Sequence, residues 1–362
     1  MRKGVDEPEG KKKSCACCCG PVASTECTPE GAESSTIHPT SSAISWADRW
    51  DHFLARWGYR RNEHKVEPGL YALGNATPDS PVFVTANYTL SFDALRSALD
   101  GIDGTILVLN TYGINVWCAA GKGTFGTDEI VNRIAESRLE TIVNHRRIIL
   151  PQLGAVGVAA HEVKKRSGFS VIYGPVRARD IKAFIKTGFE ATEKMRQVLF
   201  SFPDRLILTG VEFVLGLKYF LIAAAAIIVL SGLNSSGYSF DTLFRLGPLQ
   251  SFILAAAYLS GTVIAPALLP WLPGRSFSFK GFAAGVIVIG ILFMLNLTGG
   301  RLETAAWFFI FAAVSSFFTM NFTGASTYTS ISGVEKEMRI AVPLQLASGL
   351  VGLCLWFISR FI

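Results

Sequence analysis

Five apolar runs follow Pro203, near 206–231, 249–269, 281–298, 304–322 and 340–359. Each is close to the ~20 residues that a helix needs to cross a bilayer. Lipid offers backbone groups no partner, so helices are the expected spanning form. The breaks carry turn chemistry: Asn234-Ser235-Ser236-Gly237, Pro270-Trp271-Leu272-Pro273-Gly274, Gly299-Gly300 and Ser332-Gly333. Charge follows the same division. Residues 1–205 hold 26 Lys/Arg and 23 Asp/Glu, whereas residues 206–362 hold 8 and 5. The first part has ordinary soluble composition and the second cannot be a soluble domain. A single globular core, a secreted protein and a nucleic-acid binder are thereby excluded. The net charge of +6 divides evenly between the two parts, so no basic face dominates.

No apolar h-region stands in residues 1–45, so the first part is expected to stay in the cytoplasm, with the chain a multi-pass protein of the cytoplasmic membrane. The positive-inside rule then assigns Arg275/Lys280 and Lys336/Arg339 to inside loops, and Arg245, Arg301 and Arg360 singly to the outside. Glu212 and Lys218 fall in or near the first span. They read either as a relay pair or as side chains reaching toward a helix end, and the second is favoured because no other span carries a central charge.

Residues 1–45 hold Lys11-Lys12-Lys13, then Cys15, Cys17, Cys18, Cys19 and Cys27, then a Ser/Thr/Pro-rich stretch to Ser45. Low hydrophobicity predicts a disordered tail. Its thiols are soft ligands suited to Hg(II), Cu(I) or Zn(II), but the spacing matches no standard zinc module. A metal-handling arm and a flexible tail with incidental thiols both remain open.

Between 46 and about 200, short apolar strands alternate with amphipathic helices. Strands are expected at Val82–Ala86, Thr105–Asn110, Ile148–Leu150 and Ser170–Tyr173. Helices are expected at Trp46–Trp57, Phe92–Asp100, Asp128–Ser137, Val158–Ser167 and Ala178–Thr187. Such alternation predicts an α/β fold with a largely parallel sheet, whose ligands bind on loops at the carboxyl ends of strands. No GxGxxG or Walker loop follows a strand, and serine, cysteine and metallo-hydrolase signatures are absent.

The densest stretch is Gly113-Ile114-Asn115-Val116-Trp117-Cys118-Ala119-Ala120-Gly121-Lys122-Gly123-Thr124-Phe125-Gly126. Asn115 is a good N-cap and places Cys118 at the third helical position, where free N–H groups and the helix dipole favour an anion. Ala119-Ala120-Gly121 strips side chains from the next turn, so the helix can lie close to a large flat partner. Cys118 thus reads as a coordinating or nucleophilic thiolate, and less readily as a buried packing cysteine.

Asn115-Val116-Trp117-Cys118-Ala119-Ala120-Gly121-Lys122 resembles the signature of the HgcA family, the corrinoid proteins of microbial mercury methylation. Segments 81–92, 101–110 and 149–176 and the five-span tail also look like that family; the cysteine-rich tail does not. The resemblance implies an α/β Rossmann-like corrinoid-binding domain, related to the corrinoid iron–sulfur protein, followed by an all-α membrane domain of five transmembrane helices. It implies a cap helix at 115–122, with Cys118 as lower axial ligand of the corrinoid cobalt and the cofactor base-off. A thiolate donates more strongly than imidazole or water and would ease release of the methyl group. Ala119 and Ala120 would let the cap approach the ring, and Trp117 would pack beneath it or cover the ring edge. Thr85, Asn87, Thr111, Gly154, Tyr173 and Gly174, beside strand-end loops, are candidates for holding the cofactor's tail or amides, with turn and capping chemistry as the alternative. Lys122 either meets the cofactor's phosphate or amides or is a solvated helix end, and His161 reads as a surface residue.

The activity so implied is a corrinoid-dependent methyltransferase passing methyl from methyl-cobalt(III) to Hg(II), giving methylmercury. A ferredoxin-like iron–sulfur protein would supply electrons and a methyltetrahydrofolate-linked system the methyl group. The alternative is a membrane-bound corrinoid methyl carrier of one-carbon metabolism; from another class, a membrane sensor or transporter with a small-ligand domain.

Overall fold

The computed structural model describes residues 37–60, 63–325 and 331–362. The Cys15–Cys27 cluster lies outside the described residues. The disorder expected as far as residue 45 does not hold for Ile37–Thr40, which form strand β1 in parallel register with β2 (Gly69–Leu73). An edge strand needs backbone pairing more than burial, so this largely exposed Ile-His-Pro-Thr segment carries little apolar signal. A capping box between Ser45 and Asp48 then starts α1 (Trp46–Arg56).

The chain continues through β3 (Val82–Ala86), α2 (Thr89–Ala98), β4 (Gly104–Leu109), α3 (Val116–Lys122), α4 (Thr127–Glu136) and a short α5 (Leu139–Ile142). It goes on through β5 (Arg147–Leu150), α6 (Ala160–Ser167), β6 (Ser170–Tyr173), α7 (Ile181–Lys186) and α8 (Glu193–Arg196). The sheet order is β1-β2-β4-β3-β5-β6. β3 to β6 are parallel, as the strand–helix alternation predicts, but β2 runs antiparallel to β4. The sheet is therefore mixed: the link from β2 to β3 holds no crossover helix, so the chain simply reverses. Both sheet faces are covered. Val82, Val84 and Ala86 pack with α3, α4 and α6, while Phe83 packs with Phe92 and Leu95 of α2 and Phe184 of α7. Two-sided burial explains why β3 and β4 read as unbroken apolar runs.

Next come α9 (Phe202–Leu230), a small hairpin of β7 (Leu233–Asn234) and β8 (Gly237–Tyr238), and α10 (Phe240–Leu259), which passes through a π turn at Ser260–Ile264 into α11 (Ala265–Ala267). Then follow α12 (Phe277–Met294), α13 (Arg301–Asn321) and α14 (Ile331–Ile358). Among the described residues, five helices are long and apolar enough to cross a membrane. All five begin ahead of the expected spans, two of them by the widest margin. α10 begins at Phe240, capped by Ser239, and α14 begins at Ile331, ahead of Glu335, Lys336, Glu337 and Arg339. Hydropathy marks where lipid can lie, while backbone hydrogen bonding carries the helix on through polar turns.

Two features tie the helices together. Glycines admit close approach: a Cβ on Gly261 would sit 2.8 Å from the Ser315 carbonyl, and one on Gly285 3.0 Å from the Ser315 Cβ. A polar knot joins α10, α13 and α14, where Trp307 and Trp356 donate to Gln250 Oε1 at 3.1 and 2.8 Å, and Gln250 donates to Glu303. Arg360 completes it, 2.7 Å from Glu303. Lys280, expected in an inside loop, lies within α12 and donates to the Leu269 and Leu272 carbonyls. Lys218 is exposed on α9 and Glu212 half-buried; six positions apart, they lie on different helix faces. The α/β and helical parts belong to one compact unit, Ser35–Ile362, joined by Arg177, which pairs with Asp204 at 2.7 Å.

Candidate functional site

The site begins where the sheet opens. β3 and β4 pair over five positions, but β3 and β5 over two, Val82 with Ile148 and Phe83 with Ile149. Beyond Phe83 these strands part, and this is also where successive connections diverge to opposite sides, the usual ligand crevice of such sheets. A cavity of about 170 Å³ fills the gap, lined by Thr85, Ser91, Val116, Leu150, Pro151 and Gly174 among others. It is smaller than the ~300 Å³ at which drug-sized ligand pockets begin. It has no room for a macrocycle.

α3 closes over this crevice. Asn115 caps it as the sequence predicts, its Oδ1 accepting from the Cys118 N–H at 2.9 Å, and Gly123 ends it with φ +81°. Val116, Ala119 and Ala120 form its buried face. Cys118, with Trp117, is half-buried; Gly121 and Lys122 are exposed. Cys118, Gly121 and Lys122 share a face by helical spacing, and a Cβ at Gly121 would meet nothing within 4 Å. The small residues thus divide their work differently from the expectation. Ala119 and Ala120 let the helix approach its own domain, and Gly121 leaves the ground beside the thiol clear.

The remaining candidates separate into two groups. Thr85 and Gly174 come together in the crevice with Val116. Asn87 and Thr111 instead hold the loop that presents α3: Asn87 Oδ1 accepts from Thr111 N at 3.0 Å, Thr111 Oγ1 at 2.9 Å and Gly113 N at 3.0 Å. Thr111 Oγ1 also lies 2.7 Å from the Ile114 carbonyl. Gly154 is a packing position, since a Cβ there would sit 2.5 Å from the Phe125 ring. The Tyr173 hydroxyl donates to the Val158 carbonyl at 2.8 Å, and burial raises its pKa. His161 is 82 % exposed.

Two features escaped the sequence reading. Tyr112, in the loop before α3, has φ +57° and is 68 % exposed. A non-glycine residue held there costs about 1 kcal/mol and marks a functional loop more often than chance. Gly157 is the second: a Cβ there would lie 3.0 Å from the Ala120 carbonyl and 3.1 Å from the Ala120 Cα. Neither a backbone angle nor a close approach from another element leaves a mark in a local motif.

Residues 59–185 match the family model of the CO dehydrogenase/acetyl-CoA synthase delta subunit. The match takes in the crevice, α3 and every candidate residue, and stops short of α9. The gamma subunit of the acetyl-CoA decarbonylase/synthase complex of Archaeoglobus fulgidus is 35 % identical over 135 residues, covering 37 % of this chain and 28 % of that protein. The corrinoid/iron-sulfur protein large subunit of Moorella thermoacetica is 30 % identical over 155 residues, 40 % of this chain and 34 % of its own length. The chain thus spans about a third or less of the length of these relatives.

Proposed function

We propose that this chain is a membrane-embedded corrinoid protein that carries methyl groups in one-carbon chemistry. The observation carrying this reading is α3: a half-buried cysteine with its own amide pinned by Asn115, beside open ground, above the crevice of a domain similar to a protein named for a corrinoid. The residues fit such a cofactor. The crevice is too small for a corrin ring, so the ring would lie on the open face and only an appendage would enter between Thr85 and Gly174. When bound, a corrinoid supplies a cobalt centre able to carry methyl. Cys118 would offer its sulfur as the axial ligand, Asn115 would fix the direction of that sulfur, and Gly121 would give the ring clearance. A thiolate there would enrich the cobalt in electron density, which is the chemistry of methyl release that such a ligand supplies.

A second reading names the acceptor. The Asn115–Lys122 octapeptide resembles the HgcA signature, and a sulfur ligand favours delivery of methyl to a soft electrophile such as thiolate-bound Hg(II). The names of the relatives favour partner proteins of the acetyl-CoA pathway kind instead. One experiment addresses both. The full chain and Cys118→Ala are reconstituted with cobalamin in detergent, and cobalt content, absorption spectrum and methyl transfer to Hg(II) and to one-carbon acceptors are measured. Loss of the sulfur-to-cobalt absorption and at least about a 10-fold fall in transfer are expected for the variant. Absence of cobalt from the wild-type chain, or an unchanged spectrum and rate in the variant, overturns the reading.

A further inference from the structure

Helix α1 is amphipathic in the reverse sense for a soluble domain. Its polar face is turned inward. Asp48 pairs with Arg96 at 2.8 Å, His52 lies 2.6 Å from Asp93, and Asp51 lies 2.6 Å from His64. The opposite face carries Trp46, Trp50, Phe53 and Trp57, spaced four, three and four residues apart on one stripe. They are 85 %, 63 %, 46 % and 38 % exposed. Trp50 stacks on Phe53 and Phe53 meets Trp57, so the stripe is one continuous aromatic surface. Helices of soluble domains bury that kind of face.

The stripe runs directly onto a span. The Trp57 ring meets Phe213 of α9 edge-on at 6.1 Å, and Gly210 of α9 lies against Trp57. Leu206 and Ile207, on the same stretch of α9, are exposed in turn and line one groove with Phe53 and Trp57. Arg49 and Arg56, both exposed, flank the aromatics, and the Arg49 guanidinium lies over the Trp46 ring at 5.7 Å. Tryptophans with an apolar body and a polar N–H, flanked by arginines, at the point where a span leaves the α/β domain, match the headgroup layer of a bilayer.

We infer that α1 lies in the lipid headgroup layer of the membrane crossed by α9 to α14, holding the α/β domain against the bilayer surface. Trp46, Trp50 and Phe53 enter the boundary between headgroups and acyl chains, and Arg49 and Arg56 meet lipid phosphates. The inference rests on reading the five long helices as spans and is independent of the cofactor.

The test uses the full chain carrying 5-fluorotryptophan in phosphatidylcholine/phosphatidylglycerol nanodiscs. Trp46→Phe and Trp50→Phe, one at a time, assign the two fluorine resonances, with buried Trp307 as reference. Relaxation is compared between nanodiscs holding a headgroup nitroxide lipid and nanodiscs in a water-soluble gadolinium chelate. The expected result is several-fold stronger relaxation of Trp46 and Trp50 by the lipid label than by gadolinium. Stronger relaxation by gadolinium puts the stripe in water. Relaxation by neither, as for Trp307, means that protein covers it, from a second copy or another partner. Either result overturns the inference.

Discussion

Asn87→Ala removes a single acceptor that three donors share. The side chain is 2 % exposed, and its Oδ1 takes the Thr111 N–H and the Gly113 N–H, with a share of the Thr111 hydroxyl, whose one proton also faces the Ile114 carbonyl at 2.7 Å. Each bond contributes about 1 kcal/mol net, and a buried N–H left without a partner costs about 1–3 kcal/mol. Thr111 is fully buried and Gly113 is buried, so water does not readily replace the lost oxygen. The loss is about 3–5 kcal/mol, falling on the loop that presents α3. Converted at about 1.4 kcal/mol per tenfold, this is two to three and a half decades in the local opening equilibrium. Amide hydrogen exchange of Thr111 and Gly113 in the full chain reads that opening directly. Asn87→Asp keeps an acceptor in place and should retain most of the protection that Asn87→Ala loses. Protection of both amides within tenfold of wild type in Asn87→Ala would refute the assignment of this side chain as the loop's anchor.

Gly157→Ala places a Cβ hard against the Phe125 carbonyl and 3.0 Å from the Ala120 carbonyl, backbone atoms with no flexible end to give way, so the segment from the end of α3 to Phe125 must shift. Cobalamin affinity of the full chain should fall by at least about 10-fold, whereas Gly121→Ala, which meets no atom within 4 Å, should leave the fold unchanged. His64 gives a pH dependence. Burial lowers its pKa, but hydrogen bonds to the Tyr59 carbonyl and the Asp51 carboxylate, with the charge of Glu63, outweigh that and hold it above its ordinary 6.5. A raised folded-state value stabilises fully below about pH 6.5 and is lost as pH rises through that higher value. Exchange at α1 amides, corrected for intrinsic rate, should therefore speed up as pH rises above about 6.5, and His64→Gln should flatten the profile.

What the sequence determined by itself was whatever rests on short spacings. The alternation of Val82–Ala86 and Ser170–Tyr173 with amphipathic helices was enough to give the α/β order, because strand and helix periods are local. The five apolar runs gave the five long helices of the second half, because a run of that length holds a helix's hydrogen bonds within itself. Asn115 and Cys118 could be read as a capped helix start and a thiol in its first turn for the same reason. Tertiary structure alone decided how the small residues were used and which polar groups were already engaged. Ala120 is bare because Gly157 lies against it from a distant loop, and Asn87 is occupied because β3 and β4 end side by side. The parting of β3 from β5, which opens the crevice, depends on pairing across the sheet. The outward aromatic face of α1 depends on which side its carboxylates found their partners, Arg96 and His64. These contacts join residues far apart in the chain, and a local pattern cannot encode which of its two faces will be covered.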